Sequence, residues 1–186
     1  MLLQGLQRKN KKKALRRAID YLLSLLKKIL NSLISPQRHY HFIGVGGIGM
    51  SGLAMILHER GYSVSGSDNK REKYLKKLIE AGVNIFTDQN KQNIETLLKT
   101  IKLQPLVIYS SAIPETNSEL LEAKSQGIEN YHRSDLLAAL IEKEDSITIG
   151  GTRGKTTTST ILTTLLAVAE KDPTAIIGGN VPYYNA

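Results

Sequence analysis

The chain has 186 residues, of which 41% are hydrophobic, with a formal net charge of +8 and no cysteine. This length suffices for one full domain and part of another, and the hydrophobic content is enough for a buried core. The lack of cysteine excludes disulfide bonds, thiolate metal sites and cysteine nucleophiles. A strongly basic chain suggests a nucleic-acid partner, so the location of the charge must be established first.

The positive charge is concentrated at one end of the chain. Residues 1–38 contain ten Lys or Arg and one acid, Asp20, whereas the remaining 148 residues contain 15 basic and 16 acidic side chains, a net charge of −1. We therefore expect no nucleic-acid partner for the folded body. The leucine-rich run 21–26 is too short to span a membrane and lacks a secretory cleavage site, so we expect a cytoplasmic protein.

The basic extension, residues 1–38, contains an amphipathic helix predicted over residues 12–34. Its apolar residues recur every three or four positions: Leu15, Ile19, Leu22, Leu26, Ile29 and Leu33. Ser35 and Pro36 end the pattern. Three roles stay open at this point: a loosely docked extension, a helix on an anionic membrane surface or a protein partner, and an organellar transit peptide.

From residue 39 onward, predicted strands alternate with predicted helices, which indicates βαβ units and a parallel sheet. Strands are predicted at 39–45, 62–67, 83–86, 106–110 and 128–131, and helices at 49–60, 71–81, 91–101, 114–126 and 134–143. A polar break then precedes a second unit, with a strand at 147–150 and a helix at 155–169. The predicted fold class is α/β: a Rossmann-like parallel-sheet domain over 39–145, followed by the start of a P-loop ATPase-type central domain over 146–186.

The first glycine-rich turn, Gly44-Val45-Gly46-Gly47-Ile48-Gly49, follows the first predicted strand. In a Rossmann-type turn, Gly44 permits the tight bend, Gly46 lets the backbone approach a diphosphate, and Gly49 lets helix and strand pack closely. Phosphate oxygens bind the free N–H groups at the helix N-terminus. Asp68 ends the second strand, where an acid would meet a ribose. The motif leaves NAD(P), FAD and a nucleotide sugar as alternative ligands.

The second glycine-rich loop, residues 150–156, ends in the Gly154-Lys155-Thr156 that nucleoside-triphosphate sites use. The usual first glycine is replaced by Ile149. Backbone N–H groups from 151 to 155 can surround a β-phosphate, and Lys155 can neutralise the β- and γ-oxygens. We predict an ATP-binding loop in which Lys155 is the catalytic cation and the Thr156 hydroxyl binds Mg²⁺.

In combination, these motifs resemble the ATP-dependent Mur ligases of peptidoglycan synthesis, and within them the UDP-N-acetylmuramate–L-alanine ligases (MurC). The resemblance spans about residues 39–186. It is carried by His41 to Gly52, Ser65-Gly66-Ser67-Asp68, Ser110-Ser111-Ala112-Ile113, Arg133, and Gly151 to Thr158. The amino-acid sequence of the first turn favours the alanine-adding ligase over the muropeptide-recycling ligase.

The resemblance implies that the first turn binds the UDP of a sugar nucleotide and no dinucleotide. The implied UDP-sugar-binding residues are Gly44, Gly46, Gly47, Ile48, Gly49, Met50, Ser51, Asp68, Ser110, Ser111 and Arg133. The implied ATP-binding residues are Gly151, Thr152, Arg153, Gly154, Lys155, Thr156 and Thr157. The implied reaction uses ATP and Mg²⁺ to activate the lactyl carboxylate of UDP-N-acetylmuramate as an acyl phosphate, which the amine of L-alanine displaces.

Two departures from the family pattern accompany the resemblance. Arg153 stands where the family usually has histidine, and the family's remaining Mg²⁺ ligands and C-terminal domain correspond to positions past residue 186. The sequence therefore predicts an N-terminal fragment or a split gene product that is inactive as a ligase on its own. A non-catalytic UDP-sugar-binding module or inactive paralogue, and an NAD(P)-dependent oxidoreductase, are the alternatives. We expect His39, His41, His58 and His132 to be ordinary structural residues.

Overall fold

The computed structural model describes residues 19–69 and 73–178, and a single five-stranded parallel sheet organises these residues. Its strands are β1 (Arg38–Ile43), β2 (Ser63–Ser67), β3 (Asn84–Phe86), β4 (Gln104–Tyr109) and β5 (Glu129–His132). They lie in the order β3-β2-β1-β4-β5, and all neighbouring pairs are parallel. This order confirms the predicted Rossmann-like sheet and places the reversal of strand order between β1 and β4, the usual ligand position in such sheets.

Helices cover both faces of the sheet. They are α1 (residues 19–33), α2 (Ile48–Glu59), α3 (Lys73–Glu80), α4 (Lys91–Thr100), α5 (Ser118–Ser125), α6 (Arg133–Lys143) and α7 (Lys155–Val168). The larger core joins α2, α3 and α6 to one face, on which Tyr40 and Phe42 are fully buried. The smaller core joins α4 and α5 to the opposite face, around Ile43 and Val107. Both faces of β1 are therefore buried, as a central parallel strand requires.

The end of the basic extension belongs to the folded body. Leu33 and Ile34 are buried in the larger core, and the Tyr40 hydroxyl donates a 2.9 Å hydrogen bond to the Leu33 carbonyl. Nearer the beginning of α1, Leu22 and Leu26 are exposed. Residues 12–18 of the predicted helix lie outside the described residues. Among the described helices, none combines the length and apolar character needed to cross a bilayer.

The predicted start of one helix and one predicted strand are wrong. Helix α5 begins at Ser118 and not at Pro114, because the Asn117 side chain accepts the N–H groups of Glu119 and Leu120 and so caps the helix. The predicted strand 147–150 does not form: residues 145–154 have no helix or strand, and Ile147 is 68% exposed. A strand needs a hydrogen-bonding neighbour, and none of the described strands lies beside this segment.

Candidate nucleotide-binding site

The glycine turn after β1 and the turn after β4 are in contact at the carboxyl edge of the sheet. Gly44 has a φ of +78°, a conformation that favours glycine, and a Cβ at this position would lie 2.9 Å from Ile113 Cδ1. The Ile113 N–H donates to the Ser110 carbonyl at 3.0 Å, which closes the second turn. The predicted residues Ser110 and Ser111 therefore lie at the same edge as the glycine turn, at the reversal of strand order.

The side chain of Arg133 lies at the N-terminus of α2. A Cβ on Gly49 would lie 3.0 Å from Arg133 Nη1, so the guanidinium lies over the first turn of α2. This helix has no side-chain cap and no acid in its first turn, and the N–H groups of Ile48 and Gly49 have no acceptor among the described residues. The missing side chain of Gly49 was expected to let α2 pack closely on a strand. In the structure it makes room for the Arg133 side chain instead.

The end of β2 holds the backbone of the glycine turn. The N–H groups of Gly44 and Val45 donate to the Ser67 carbonyl at 2.8 and 3.0 Å, and the Gly46 N–H donates to Asp68 Oδ2 at 2.8 Å. Gly46 is buried and Asp68 contacts the turn itself. The expected contacts of Gly46 with a diphosphate and of Asp68 with a ribose therefore stay predictions.

The remaining predicted residues of the first turn divide between solvent and interior. Gly47 and Ile48 are exposed, whereas Met50 and Ser51 are buried. The Ser51 hydroxyl donates to the Ile48 carbonyl at 3.1 Å. Gly47 and Ile48 can face a ligand directly, while Met50 and Ser51 support the turn from the protein side.

Gly66 is a structural requirement of the turn that the sequence motif did not explain. A Cβ at this position would lie 2.7 Å from Val45 Cβ, a distance that real side chains do not reach. The missing side chain of Gly66 is what lets Val45 pack across β2.

Beneath the turn lies a buried polar network formed by His39, His41, Ser65, Ser67, Asn93 and Glu119. Glu119 Oε1 accepts hydrogen bonds from His41 Nε2 at 2.8 Å and Asn93 Nδ2 at 2.9 Å. Glu119 Oε2 accepts the Ser67 hydroxyl at 2.6 Å. The side chains of His41 and Glu119 are fully buried. The network thus connects α4 and α5 to the two strands that carry the glycine turn.

His39 lies at the far end of this network. Burial, followed by the neighbouring His41, lowers the pKa of His39 to about 4, so its imidazole is neutral at pH 7. Its ring nitrogens lie 2.7 Å from the hydroxyls of Ser63 and Ser65. Among the described residues, no group of three or more His, Cys, Asp or Glu is placed to hold a metal ion.

Sequence reasoning missed the network, although part of it is visible in the sequence. Histidines at 39 and 41 and serines at 63, 65 and 67 alternate on two strands that pair in register, so they share one face of the sheet. Nothing in the sequence pairs these strands with Glu119 and Asn93, which come from helices far along the chain. The buried carboxylate could be found only from the fold.

The second glycine loop gathers its predicted residues at the start of α7. Gly154 precedes the helix with a φ of +78°, and Lys155 Nζ donates to the carbonyls of Gly151 at 2.5 Å and Thr152 at 3.4 Å. The first turn of α7 contains Thr156 and Thr157 and has neither a side-chain cap nor an acid. Residues 150–158, including Arg153, are all exposed. A cationic side chain beside an uncapped helix N-terminus fits a phosphate group.

A cavity of about 790 Å³ opens beside the N-terminus of α2, lined by Gly49, Ser51 and Arg133 and by residues 172–178. A second cavity of about 980 Å³ lies between α6 and α7 and contains none of the glycine-turn residues. The first cavity thus includes four of the eleven predicted UDP-sugar residues, Ile48, Gly49, Ser51 and Arg133, and it also reaches residues 172–178.

Residues 39–144 match the family model described as Mur ligase family, catalytic domain. The chain belongs to the Mur ligase family. It is 53% identical over 157 residues to the UDP-N-acetylmuramate–L-alanine ligase of Prochlorococcus marinus strain MIT 9313, an alignment that covers 84% of this chain and 32% of that relative. The corresponding ligase of Synechococcus strain CC9311 is 54% identical over 153 residues, with 82% and 32% covered. This chain thus spans about a third of the length of the curated relatives it matches.

Solved Mur ligases share the fold. The UDP-N-acetylmuramate–alanine ligase MurC of Thermotoga maritima has a TM-score of 0.67 and 29% identity, covering 76% of this chain and 32% of that chain. A murein peptide ligase of Psychrobacter arcticus has a TM-score of 0.68 and 29% identity, covering 80% and 30%. The family prediction from the motifs is confirmed. Because both ligase types have this fold, the choice between them depends on the sequence relatives and the site.

Proposed function

We propose that this Mur ligase chain is the sugar-nucleotide-binding part of a UDP-N-acetylmuramate–L-alanine ligase and that its glycine turn binds UDP-N-acetylmuramate. The observation that carries the proposal is the placement of the Arg133 guanidinium over the first turn of α2, where the N–H groups of Ile48 and Gly49 have no acceptor among the described residues. A diphosphate carries the charge and the acceptor oxygens that this arrangement matches.

The proposed contacts divide among the three elements at the carboxyl edge of the sheet. Gly44, Gly46 and Gly47 shape the turn, and Ile48 and Gly49 donate their N–H groups to the diphosphate. Arg133 neutralises its charge. The hydroxyls of Ser110 and Ser111 and the carboxylate of Asp68 bind the polar groups of the nucleotide sugar, and Met50 and Ser51 support the turn.

The second loop is proposed to bind ATP. The N–H groups at the start of α7 and the Lys155 ammonium would contact its phosphates, together with the loop residues Gly151 to Thr157. The Thr156 hydroxyl would hold Mg²⁺, which neutralises charge on the phosphate oxygens. In the proposed reaction ATP activates the lactyl carboxylate of the sugar nucleotide as an acyl phosphate, and the amine of L-alanine displaces the phosphate. This ligation belongs to peptidoglycan precursor synthesis, which we place in the cytoplasm.

In this proposal, phosphate oxygens of ATP replace protein carbonyl oxygens as the hydrogen-bond acceptors of Lys155. Its present contacts with Gly151 and Thr152 are formed at an exposed loop, where such contacts contribute little stability. For the same reason the loop is surrounded by water, which weakens electrostatic stabilisation of a transferring phosphoryl group. We therefore expect this chain alone to bind nucleotides without turning them over.

Titration calorimetry of the full chain with UDP-N-acetylmuramate, NAD and ATP tests the assignment. We expect the sugar nucleotide to bind and NAD to bind weakly or not at all. Replacing Arg133→Met should weaken sugar-nucleotide binding about tenfold or more, because a charge-assisted contact to the diphosphate is lost. The matched control is Arg60→Met, whose guanidinium pairs with Glu144 away from the turn. Tighter binding of NAD than of UDP-N-acetylmuramate would make the chain a dinucleotide-binding protein.

A non-catalytic UDP-sugar-binding module is the second candidate, and the missing strand before the second loop favours it. The same titration separates the two candidates: the ligase proposal requires ATP binding that Lys155→Ala removes. Binding of the sugar nucleotide without ATP would favour the non-catalytic module. Phosphate release that requires both L-alanine and the sugar nucleotide would show that the chain is a competent ligase by itself.

A further inference from the structure

Glu119 is a fully buried carboxylate on α5, 75 residues along the chain from Gly44. It lies within hydrogen-bond distance of three donors, which come from β1, β2 and α4. Burying a carboxylate is unfavourable unless donors surround it, and well-packed apolar side chains often replace buried ion pairs at no cost in stability. Stability alone therefore does not account for a carboxylate at this position.

Ser67 connects Glu119 to the glycine turn. Its hydroxyl donates to Glu119 Oε2 at 2.6 Å, and its carbonyl oxygen accepts the N–H groups of Gly44 and Val45. Ser67 is the last residue of β2, and the peptide group that follows it is also held by the Asp68 N–H, which donates to the Phe86 carbonyl at 3.1 Å. The side-chain contact with Glu119 adds a second constraint on the residue whose carbonyl holds the turn.

The beginning of α5 also lies near the glycine turn, through a second set of contacts. The Asn117 side chain caps α5 and donates to Gln89 Oε1 at 3.0 Å. Gln89 Nε2 in turn lies 3.7 Å from the position that a Cβ of Gly44 would occupy. The helix that carries Glu119 is thus tied to the surroundings of the turn at two points.

We propose that Glu119 is a positioning residue of the sugar-nucleotide site. Through Ser67 its carboxylate sets the conformation of the glycine turn and, with it, the direction of the N–H groups of Ile48 and Gly49. The identity of the ligand rests on the proposed function above, whereas the effect of Glu119 on the turn does not depend on it.

Two small changes test this link. Glu119→Gln keeps the shape of the side chain but places an amide NH₂ among the His41, Asn93 and Ser67 donors, so at least one acceptor is lost. Ser67→Ala removes a single hydroxyl and leaves the backbone carbonyl in place. The control is Glu122→Gln on the same helix, because within the described part of the chain Glu122 Oε1 accepts just one contact, an exposed one from Gln126 at 2.7 Å.

The experiment uses the full chain and two readouts, at a temperature where circular dichroism shows every variant to be folded. Calorimetry gives the affinity for UDP-N-acetylmuramate, and NMR hydrogen exchange gives the protection of the Gly44 and Val45 amides relative to the Phe42 amide. For Glu119→Gln and Ser67→Ala we expect about tenfold weaker binding and about tenfold lower relative protection, the size of one lost charged hydrogen bond. The double variant should be no weaker than Glu119→Gln, and Glu122→Gln should match the wild type.

A purely structural Glu119 would lower the unfolding temperature without changing either the affinity of the folded protein or the relative protection of the turn. That result, or additive losses in the double variant, overturns the proposal. If Glu119→Gln does not fold, the comparison of Ser67→Ala with wild type decides. If the wild type does not bind UDP-N-acetylmuramate, the proposed function fails, and the hydrogen-exchange readout still decides the role of Glu119.

Discussion

The sheet unit, residues 38–144, and the segment that follows it, residues 145–178, each carry a glycine-rich loop before a helix, but in different surroundings. Backbone hydrogen bonds from β2 hold the glycine turn of the sheet unit, and the turn after β4 and the Arg133 side chain lie close to it. The loop of the following segment is exposed, and no strand forms before it. A glycine-rich motif therefore specifies the bend and the start of a helix, whereas a strand also needs neighbours.

The comparison predicts its largest difference in the packing of the two regions. Phe42→Ala should lower the free energy of unfolding by about 3–5 kcal/mol, because it empties a fully buried position in the larger core. Leu165→Ala on α7 should change it by less than about 0.5 kcal/mol, since Leu165 is 62% exposed. Urea denaturation measures both. A cost for Leu165→Ala as large as that for Phe42→Ala would mean that α7 is packed as tightly as the sheet unit.

Gly66 allows a test of the glycine turn inside the sheet unit. Gly66→Ala should destabilise by about 1–3 kcal/mol, because its Cβ would overlap the Val45 side chain. Gly52→Ala, in the middle of α2, should instead stabilise by about 0.5–1 kcal/mol, because no atom of the described residues lies within 4 Å of its added Cβ. Thermal unfolding of the two variants measures the contrast, and equal changes of the same sign would contradict this description of the turn.

The free energy of unfolding of the sheet unit should depend on pH because of His39. Because burial lowers the folded pKa to about 4 from 6.5, the unfolded state binds more protons between these values. Stability is therefore complete above pH 6.5 and decreases as the pH falls towards 4, by about 2 kcal/mol between pH 7.5 and 5. Urea denaturation at the two pH values measures the loss, and His39→Asn should remove most of it. An unchanged loss in the variant would assign it to other groups.

How much was predictable differs between the two regions. Alternating strand and helix patterns predicted every strand of the sheet unit, since hydrophobic periodicity and turn glycines such as Gly82 and Gly127 are local signals. The segment 147–150 has the same local signal but forms no strand, because none of the described strands lies beside it. At the site, the glycine motif predicted Gly44 and Gly49 and the family resemblance added Arg133, but neither predicted that Gly49 makes room for Arg133.

The buried polar network could not be predicted from the sequence, for a different reason. His41 and Ser65 pair across neighbouring strands, whereas Glu119 reaches them only because α5 packs on that face of the sheet. Alternation along a strand indicates which residues share a face, but helix packing decides which partner faces them. Long-range pairing of this kind comes from the fold and not from a motif.

In the proposed function, the glycine turn of the sheet unit binds the sugar nucleotide and the loop of the following segment binds ATP. Calorimetry of two single variants of this chain with both nucleotides tests this division most directly. Gly49→Val should weaken UDP-N-acetylmuramate binding about tenfold or more and leave ATP binding unchanged, because the added side chain displaces Arg133. Lys155→Ala should do the reverse. Loss of sugar-nucleotide binding in Lys155→Ala, or its retention in Gly49→Val, would contradict the assignment.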